Sequence, residues 1–196
     1  MYEINAIWIG DESLRPAELN SWGNIKVHGN DVLASRTWEL RDKMRHYANV
    51  GELNGVADCM RWELLYELGG IFVDADSEKL RNLPDFINEL PAVAAWENEI
   101  DRPGLIACGF LKFNKKDPFI RAIIDYIKAE PIQGREAWKV VGPLAITETF
   151  KKVEPRHLTI LPSHFFFPKH WNGKSYQGTY TLAAQHWKST KGTYGT

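Results

Sequence analysis

The chain has 196 residues, with 24 Lys plus Arg against 25 Asp plus Glu and a formal net charge of -1. That length suits a single domain over residues 1–196 rather than two, and the charge balance offers no global field to a polyanion, so nucleic acid is not an expected partner. Two cysteines exclude a disulfide framework, and no apolar run reaches the roughly 18 residues of a membrane span.

Ile4 to Gly10 is expected to form the first strand, and Pro16 to Trp22 a short helix with proline in its first turn. Ile25 to His28 is a second strand, and Thr37 to Tyr47 has the mixed charge and spacing of a helix that covers the sheet. Apolar residues at Leu53, Val56, Ala57, Met60, Leu64, Leu65 and Leu68 then recur at intervals of three and four, the stripe of an amphipathic helix. The stripe stops at Gly69-Gly70, because glycine reaches the positive φ that commonly ends a helix without a Cβ clash. Ile71-Phe72-Val73 follows, a fully apolar run expected to be a buried central strand. Asn82-Leu83-Pro84-Asp85 begins a small helix, and Ala92 to Trp96 is another strand. Leu105 to Phe113 is expected as one strand whose mid-point, Gly109, leaves room for a close approach. Asp117-Pro118 opens a helix to about Lys128, with Asp at the cap and Pro in the first turn, and Gly142-Pro143 opens another to about Lys152. Leu158 to Leu161 is the last clear strand, after which the chain turns aromatic, with Phe165, Phe166, Phe167, Trp171, Tyr176, Tyr180 and Trp187. Cys59 and Cys108 fall inside apolar segments, as buried free thiols do, which favours a reducing compartment. Strands alternating with helices predict an α/β fold with a mostly parallel central sheet flanked by helices on both faces.

The candidate chemistry lies around the central strand. In an open α/β sheet ligands sit beyond the carboxyl ends of the strands, where Asp74, Ala75 and Asp76 stand, and carboxylates two residues apart project to one side of an extended chain. Hard cations such as Mn²⁺ or Mg²⁺ take oxygen ligands and need only one or two carboxylates, leaving positions for phosphate oxygens. Asp58 and Arg61 lie three apart on the long helix, off its apolar stripe, where they either form a solvated ion pair or jointly face a ligand. Trp8 and Ile9, at the end of the first strand, offer a base-stacking surface or an ordinary core. Lys112, Lys115 and Lys116 form a local basic group suited to an anionic acceptor or to a solvated turn.

The run ADCMRWELLYELGGIFVDAD resembles the core of glycosyltransferases with a DXD sugar-binding region, those of family 32, which includes fungal α-mannosyltransferases, and more distantly the glucosylating clostridial toxins. That core reads Ala-Asp-x-x-Arg-Tyr-x-x-Leu-Tyr-x-x-Gly-Gly-Ile-Tyr-x-Asp-x-Asp, with Trp62 and Phe72 here in place of two tyrosines. Ile7-Trp8-Ile9-Gly10, Gly142-Pro143, Leu161-Pro162 with Phe166-Phe167-Pro168, and His186-Trp187 fall in the order of the family's other motifs. The resemblance implies a GT-A fold and transfer of a sugar from a UDP- or GDP-linked donor to a carbohydrate or other hydroxyl-bearing acceptor, with retention of anomeric configuration. It implies that Trp8 packs on the base, that Asp58 and Arg61 grip sugar and phosphate, and that Asp76 holds the cation. Asp74 then bridges ribose, sugar or metal, and His186 reaches the diphosphate or the metal. The family ends its last motif in Ser-Trp where this chain has Ser189-Thr190, so Ser189 is a further candidate for the metal shell. Asn114, His164, Trp171 and the Gly142-Pro143 turn are candidates for the acceptor side.

The family's eukaryotic members carry a membrane anchor and stem; Met1 to Gly10 leads straight into a strand without a secretion signal, so a cytoplasmic bacterial or viral enzyme is expected. Two other classes compete. A haloacid dehalogenase-like phosphatase also has an apolar strand followed by Asp-x-Asp, but at the domain's start and with a later lysine and acidic pair. A catalytically idle sugar-nucleotide-binding module would keep the fold without turnover.

Overall fold

A computed structural model describes residues 2–132, 134–176 and 178–193. In chain order the elements are β1 (Ile4–Ile7), β2 (Ile25–His28), α1 (Asn30–Ala34), α2 (Arg41–Asn49), α3 (Leu53–Leu68), β3 (Gly70–Val73), β4 (Ser77–Lys79), α4 (Asp85–Glu89), β5 (Ala92–Asn98), β6 (Arg102–Ile106), β7 (Phe110–Phe113), α5 (Pro118–Ala129), α6 (Ala137–Val140), α7 (Pro143–Val153), β8 (Leu158–Leu161), β9 (Ala183–Gln185) and α8 (Lys188–Lys191). No helix among the described residues is long and apolar enough to cross a membrane.

Seven strands form the main sheet in the order β2-β1-β3-β7-β5-β6, with β8 paired to β5. The parallel pairs are β1/β2, β1/β3 and β5/β8, and the antiparallel ones β3/β7, β5/β7 and β5/β6. Five strands therefore run one way and only β6 and β7 oppose them, so the sheet is mixed but mostly parallel. Side chains alternate between two cores, as the two-residue period of a strand requires. Ile71, Val73 and Phe110 face one core; Phe72, Leu111 and Phe113 face the other. Helices α2, α3 and α5 to α7 close the second face, whereas a 3-10 turn at Ala17–Trp22, α4 and the aromatic segment around Phe166 and Phe167 close the first.

Four elements depart from their expected form. Strand β1 stops at Ile7, so Trp8 and Ile9 belong to the loop above the sheet. Helix α2 starts at Arg41 rather than Thr37, because the buried Glu63 carboxylate accepts the amides of Glu39 and Leu40 and holds that segment as a turn. Helix α3 is buried nearly all round its middle, with Trp62 donating to the Val141 carbonyl at 2.6 Å, so it is a central helix and not an amphipathic one at the surface. The expected strand from Leu105 to Phe113 is two strands on one side of β5, separated at Ala107–Gly109. Val93 faces Lys112 while Trp96 faces Ile106, so β6 and β7 hold three more residues than β5 between the same points, a bulge of the kind that re-aims backbone groups beside functional sites.

The glycine stop behaves as expected. Gly69 and Gly70 both take positive φ, 68 and 96°, and a Cβ on Gly69 would stand 2.5 Å from the Lys115 amide nitrogen. Lys112, expected in a solvated turn, is instead fully buried on β7, since its neighbours Leu111 and Phe113 face the helices. Its ammonium donates to the carbonyls of Leu90 and Asn88 and lies 4.0 Å from the Tyr2 ring centre, which satisfies a charge that burial alone would make costly. Lys115 and Lys116 remain exposed.

Candidate active site

Strands β2 and β3 lie on opposite sides of β1, so the sheet opens a crevice above the carboxyl ends of β1 and β3. A cavity of about 780 Å³ occupies it, bounded by Trp8, Ile9 and Gly10 after β1, Asp74 to Asp76 after β3, Asp58 and Arg61 from α3, the Ala107–Gly109 bulge, and Gln185, Trp187 and Ser189 from the tail.

Arg61 organises this floor. The residue is 4% exposed, and its guanidinium donates to the Cys108 carbonyl at 2.7 Å and to the Asp74 carboxylate, with Nε 3.6 Å from Asp58. The solvated ion pair is therefore excluded: the fork ties α3, β3 and the bulge together. Asp74 is further fixed by its own amide, which donates to the Gly109 carbonyl at 3.1 Å. Asp58, in contrast, accepts no hydrogen bond among the described residues, and it opens on the cavity. Burial pushes its carboxyl up to about 7, against the favourable field of Arg61. Burial and the neighbouring Asp74 charge likewise raise Asp76 to about 6.

Gly109 shows how tight the floor is. A Cβ there would lie 2.8 Å from Phe167 Cε1 and 2.9 Å from Asp74 Oδ2. Gly109→Ala should lower unfolding free energy by about 1–3 kcal/mol and reduce turnover further than that loss explains, because Asp74 must move. A chemical denaturation curve and a rate measured on the same preparation check this; wild-type values for both would show that the bulge can yield freely.

The tail supplies what the sequence pattern did not reveal. Strand β9 pairs with β4 in the register Ser77 to Gln185, and the Gln185 amide nitrogen lies 3.0 Å from Asp74 Oδ2 and 2.5 Å from Asp76 Oδ1. The Lys188 amide donates to Asp76 Oδ2 at 2.6 Å, an approach set by Trp187 in the left-handed region at φ 60°. His186 does not join the aspartates. It lies one residue past the end of β9, its Nε2 meets Glu78 at 2.9 Å, and it does not line the cavity. Among the described residues no three His, Cys, Asp or Glu side chains converge on a metal position, so the trio of Asp74, Asp76 and His186 is not assembled. Ser189 does face the cavity.

Trp8 is both wall and core: only 7% exposed, it lines the cavity and donates from Nε1 to the Asp11 carbonyl at 3.0 Å. Ile9 and Ala75 line the cavity beside it. Of the acceptor candidates, Trp171 and Pro143 line the cavity, together with Trp138, whose ring carries the Arg102 guanidinium at 4.8 Å. Asn114 instead accepts from the Tyr2 hydroxyl, and His164 packs on Phe165 and Tyr176; neither reaches the cavity. Cys59 and Cys108 are buried and free, as expected.

No family model matches the chain. Over 181 residues it is 29% identical to lactosylceramide 4-alpha-galactosyltransferase of Mus musculus, covering 87% of this chain and 44% of that protein. It is 29% identical to the Rattus norvegicus counterpart over 132 residues, or 62% of this chain and 34% of that protein. The chain thus spans less than half the length of these curated relatives. Among solved structures, a glycosyltransferase named PaToxG superposes with a TM-score of 0.58 at 13% identity, over 78% of this chain and 70% of that one. The chain has an α/β fold of GT-A type, and in sequence it is similar to glycosyltransferases.

Proposed function

We propose that this chain transfers a hexosyl group from a UDP- or GDP-linked sugar to an acceptor hydroxyl, with retention, using Mn²⁺ or Mg²⁺ held at Asp74 and Asp76. The observation that carries the reading is the buried Arg61 fork, which fixes Asp74 near Asp76 in the wall of a cavity that Trp8 also lines. The donor set fits a hard cation: two carboxylates, and a buried Gln185 Oε1 with no hydrogen-bond partner. When bound, the cation supplies Lewis-acid neutralisation of the charge that builds on the departing diphosphate. The chain's own groups do the rest. Trp8 and Ile9 bound the base pocket, Arg61 holds the Asp74 carboxylate in orientation, and Asp58, paired with Arg61 but accepting no hydrogen bond among the described residues, accepts a sugar hydroxyl, which fixes the anomeric carbon. Trp171, Trp138 and Pro143 give the acceptor ring an apolar face. Retention follows the resemblance.

The relatives are named for galactosyl transfer, so UDP-galactose with a galactoside acceptor heads the donor panel. Donor hydrolysis and transfer with Mn²⁺ test the reading. Asp76→Asn should lower turnover roughly 100-fold or more, the scale of losing one contact to transition-state charge, while the protein stays folded. Donors that raise the melting temperature without any turnover would instead favour the idle binding module, and a panel with neither effect would sink both. The phosphatase reading lacks a lysine at the cavity wall among the described residues.

A further inference from the structure

We infer that Gln185 is a third oxygen ligand of the cation. This rests on the metal reading above and adds to it a residue that the core motif does not contain.

The two carboxylates are close neighbours, with Asp76 only 2% exposed. Two such charges repel, so donors beside them matter: Arg61 serves Asp74 Oδ1 and the Lys188 amide serves Asp76 Oδ2. The amide NH₂ of Gln185 lies between them, 3.0 Å from Asp74 Oδ2 and 2.5 Å from Asp76 Oδ1. Its two N–H bonds carry the only positive edge of the side chain, so one hydrogen is given to each carboxylate. The other end of the same amide is unsatisfied: Gln185 Oε1 is buried and accepts nothing. A buried acceptor without a donor costs on the order of 1–3 kcal/mol, which is the usual sign that a group serves a second state. Turning the amide about its last bond exchanges the two atoms and presents the orphan oxygen where the nitrogen had been. Amide oxygens are ordinary ligands of hard cations, so one rotation converts a hydrogen-bonded pair of aspartates into a three-oxygen site. The backbone makes this exchange local. Gln185 is held in register by the β4/β9 pairing, and the Lys188 amide keeps the second Asp76 oxygen occupied at 2.6 Å. His186, one residue past the strand, is held by Glu78.

Mn²⁺ affinity, read by electron paramagnetic resonance of the free ion, separates ligand from spacer. Gln185→Leu should weaken Mn²⁺ binding roughly 10–100-fold. Gln185→Glu should tighten it several-fold, because a carboxylate adds charge to the site. In chelator, without the ion, both variants should melt below the wild type, since each removes the donor between two carboxylates. A residue with only a structural role would give the same losses in chelator and leave Mn²⁺ affinity unmoved. Unchanged affinity in both variants, beside a wild type that binds Mn²⁺, would overturn this inference alone. A wild type that binds no Mn²⁺ would overturn the metal reading as well, and loss of turnover with normal Mn²⁺ binding would leave the metal reading standing while placing Gln185 elsewhere.

Discussion

Arg61→Ala should unfold more easily by about 3 kcal/mol and show no turnover, because it deletes a buried charge that two partly buried carboxylates and one carbonyl share. At the surface an Asp and an Arg three residues apart are worth roughly 0.2–0.5 kcal/mol, and their loss would be barely measurable. The difference lies in where the groups end up. Arg61 is 4% exposed, Asp58 and Asp74 both lie in its field, and the Cys108 carbonyl has the guanidinium as its partner across the bulge. Removing the cation leaves the Asp74 carboxylate and the Cys108 carbonyl without their donor and takes away what favours the charged form of Asp58. Arg61→Lys refines the test. A single ammonium restores the charge but cannot serve Cys108 and Asp74 with the planar fork of a guanidinium. Stability should recover in part while activity stays low. Urea unfolding at neutral pH gives the first number and donor turnover the second. An Arg61→Ala protein within about 1 kcal/mol of wild type, the range of an exposed ion pair, would mean that the fork is not what holds the floor together.

The parts of this site written in local pattern were legible in the sequence. Gly69-Gly70 and the apolar Ile71-Phe72-Val73 announce a helix stop and a buried strand because φ preference and hydrophobicity act on neighbouring residues. Asp74 and Asp76 then follow at the carboxyl end by geometry alone. The bulge at Ala107–Gly109 was half legible. Its glycine pointed to a close approach, but the three extra residues are defined only against β5, a partner that the segment itself does not specify. Gln185 and Lys112 were not legible. Gln185 has meaning only once β9 is paired with β4, and no hydrophobic periodicity marks so short a strand. The His186-Trp187 motif points one position too far: His186 lies past the end of β9 and its ring is taken by Glu78. Lys112 looked solvated beside Lys115 and Lys116, whereas its apolar neighbours Leu111 and Phe113 carry it into the sheet. Burial of a charge depends on carbonyls brought from elsewhere in the chain, here Leu90 and Asn88, and no window around Lys112 contains them.

Asp58→Asn should make the protein more stable at pH 7.5 and inactive, and its advantage should shrink as the pH falls. Asp58 is an acid whose folded carboxyl sits at about 7 against an ordinary 3.8, chiefly because burial disfavours its charged form. The folded state therefore holds the proton more tightly than the unfolded chain. Well below 3.8 both states are protonated and the residue costs nothing. As the pH rises toward 7 the unfolded chain loses its proton freely while the folded one keeps it, so stability declines through that window and levels off above it. Asparagine has the same shape and no proton to lose. The gap between the variant and the wild type should widen by roughly 2–3 kcal/mol between pH 4.5 and pH 7.5, at about 1.36 kcal/mol per unit less some relief from the cavity opening. Urea unfolding at the two pH values measures it, and a constant gap would mean that the carboxylate is solvated through the cavity. The same group ties stability to chemistry. If the ionised Asp58 is what accepts the sugar hydroxyl, turnover should rise with pH through about 7, over the range in which the fold loses stability by charging it. A destabilising charge retained at a buried carboxylate that accepts no hydrogen bond among the described residues is the pattern of a group kept for its ligand and not for the fold.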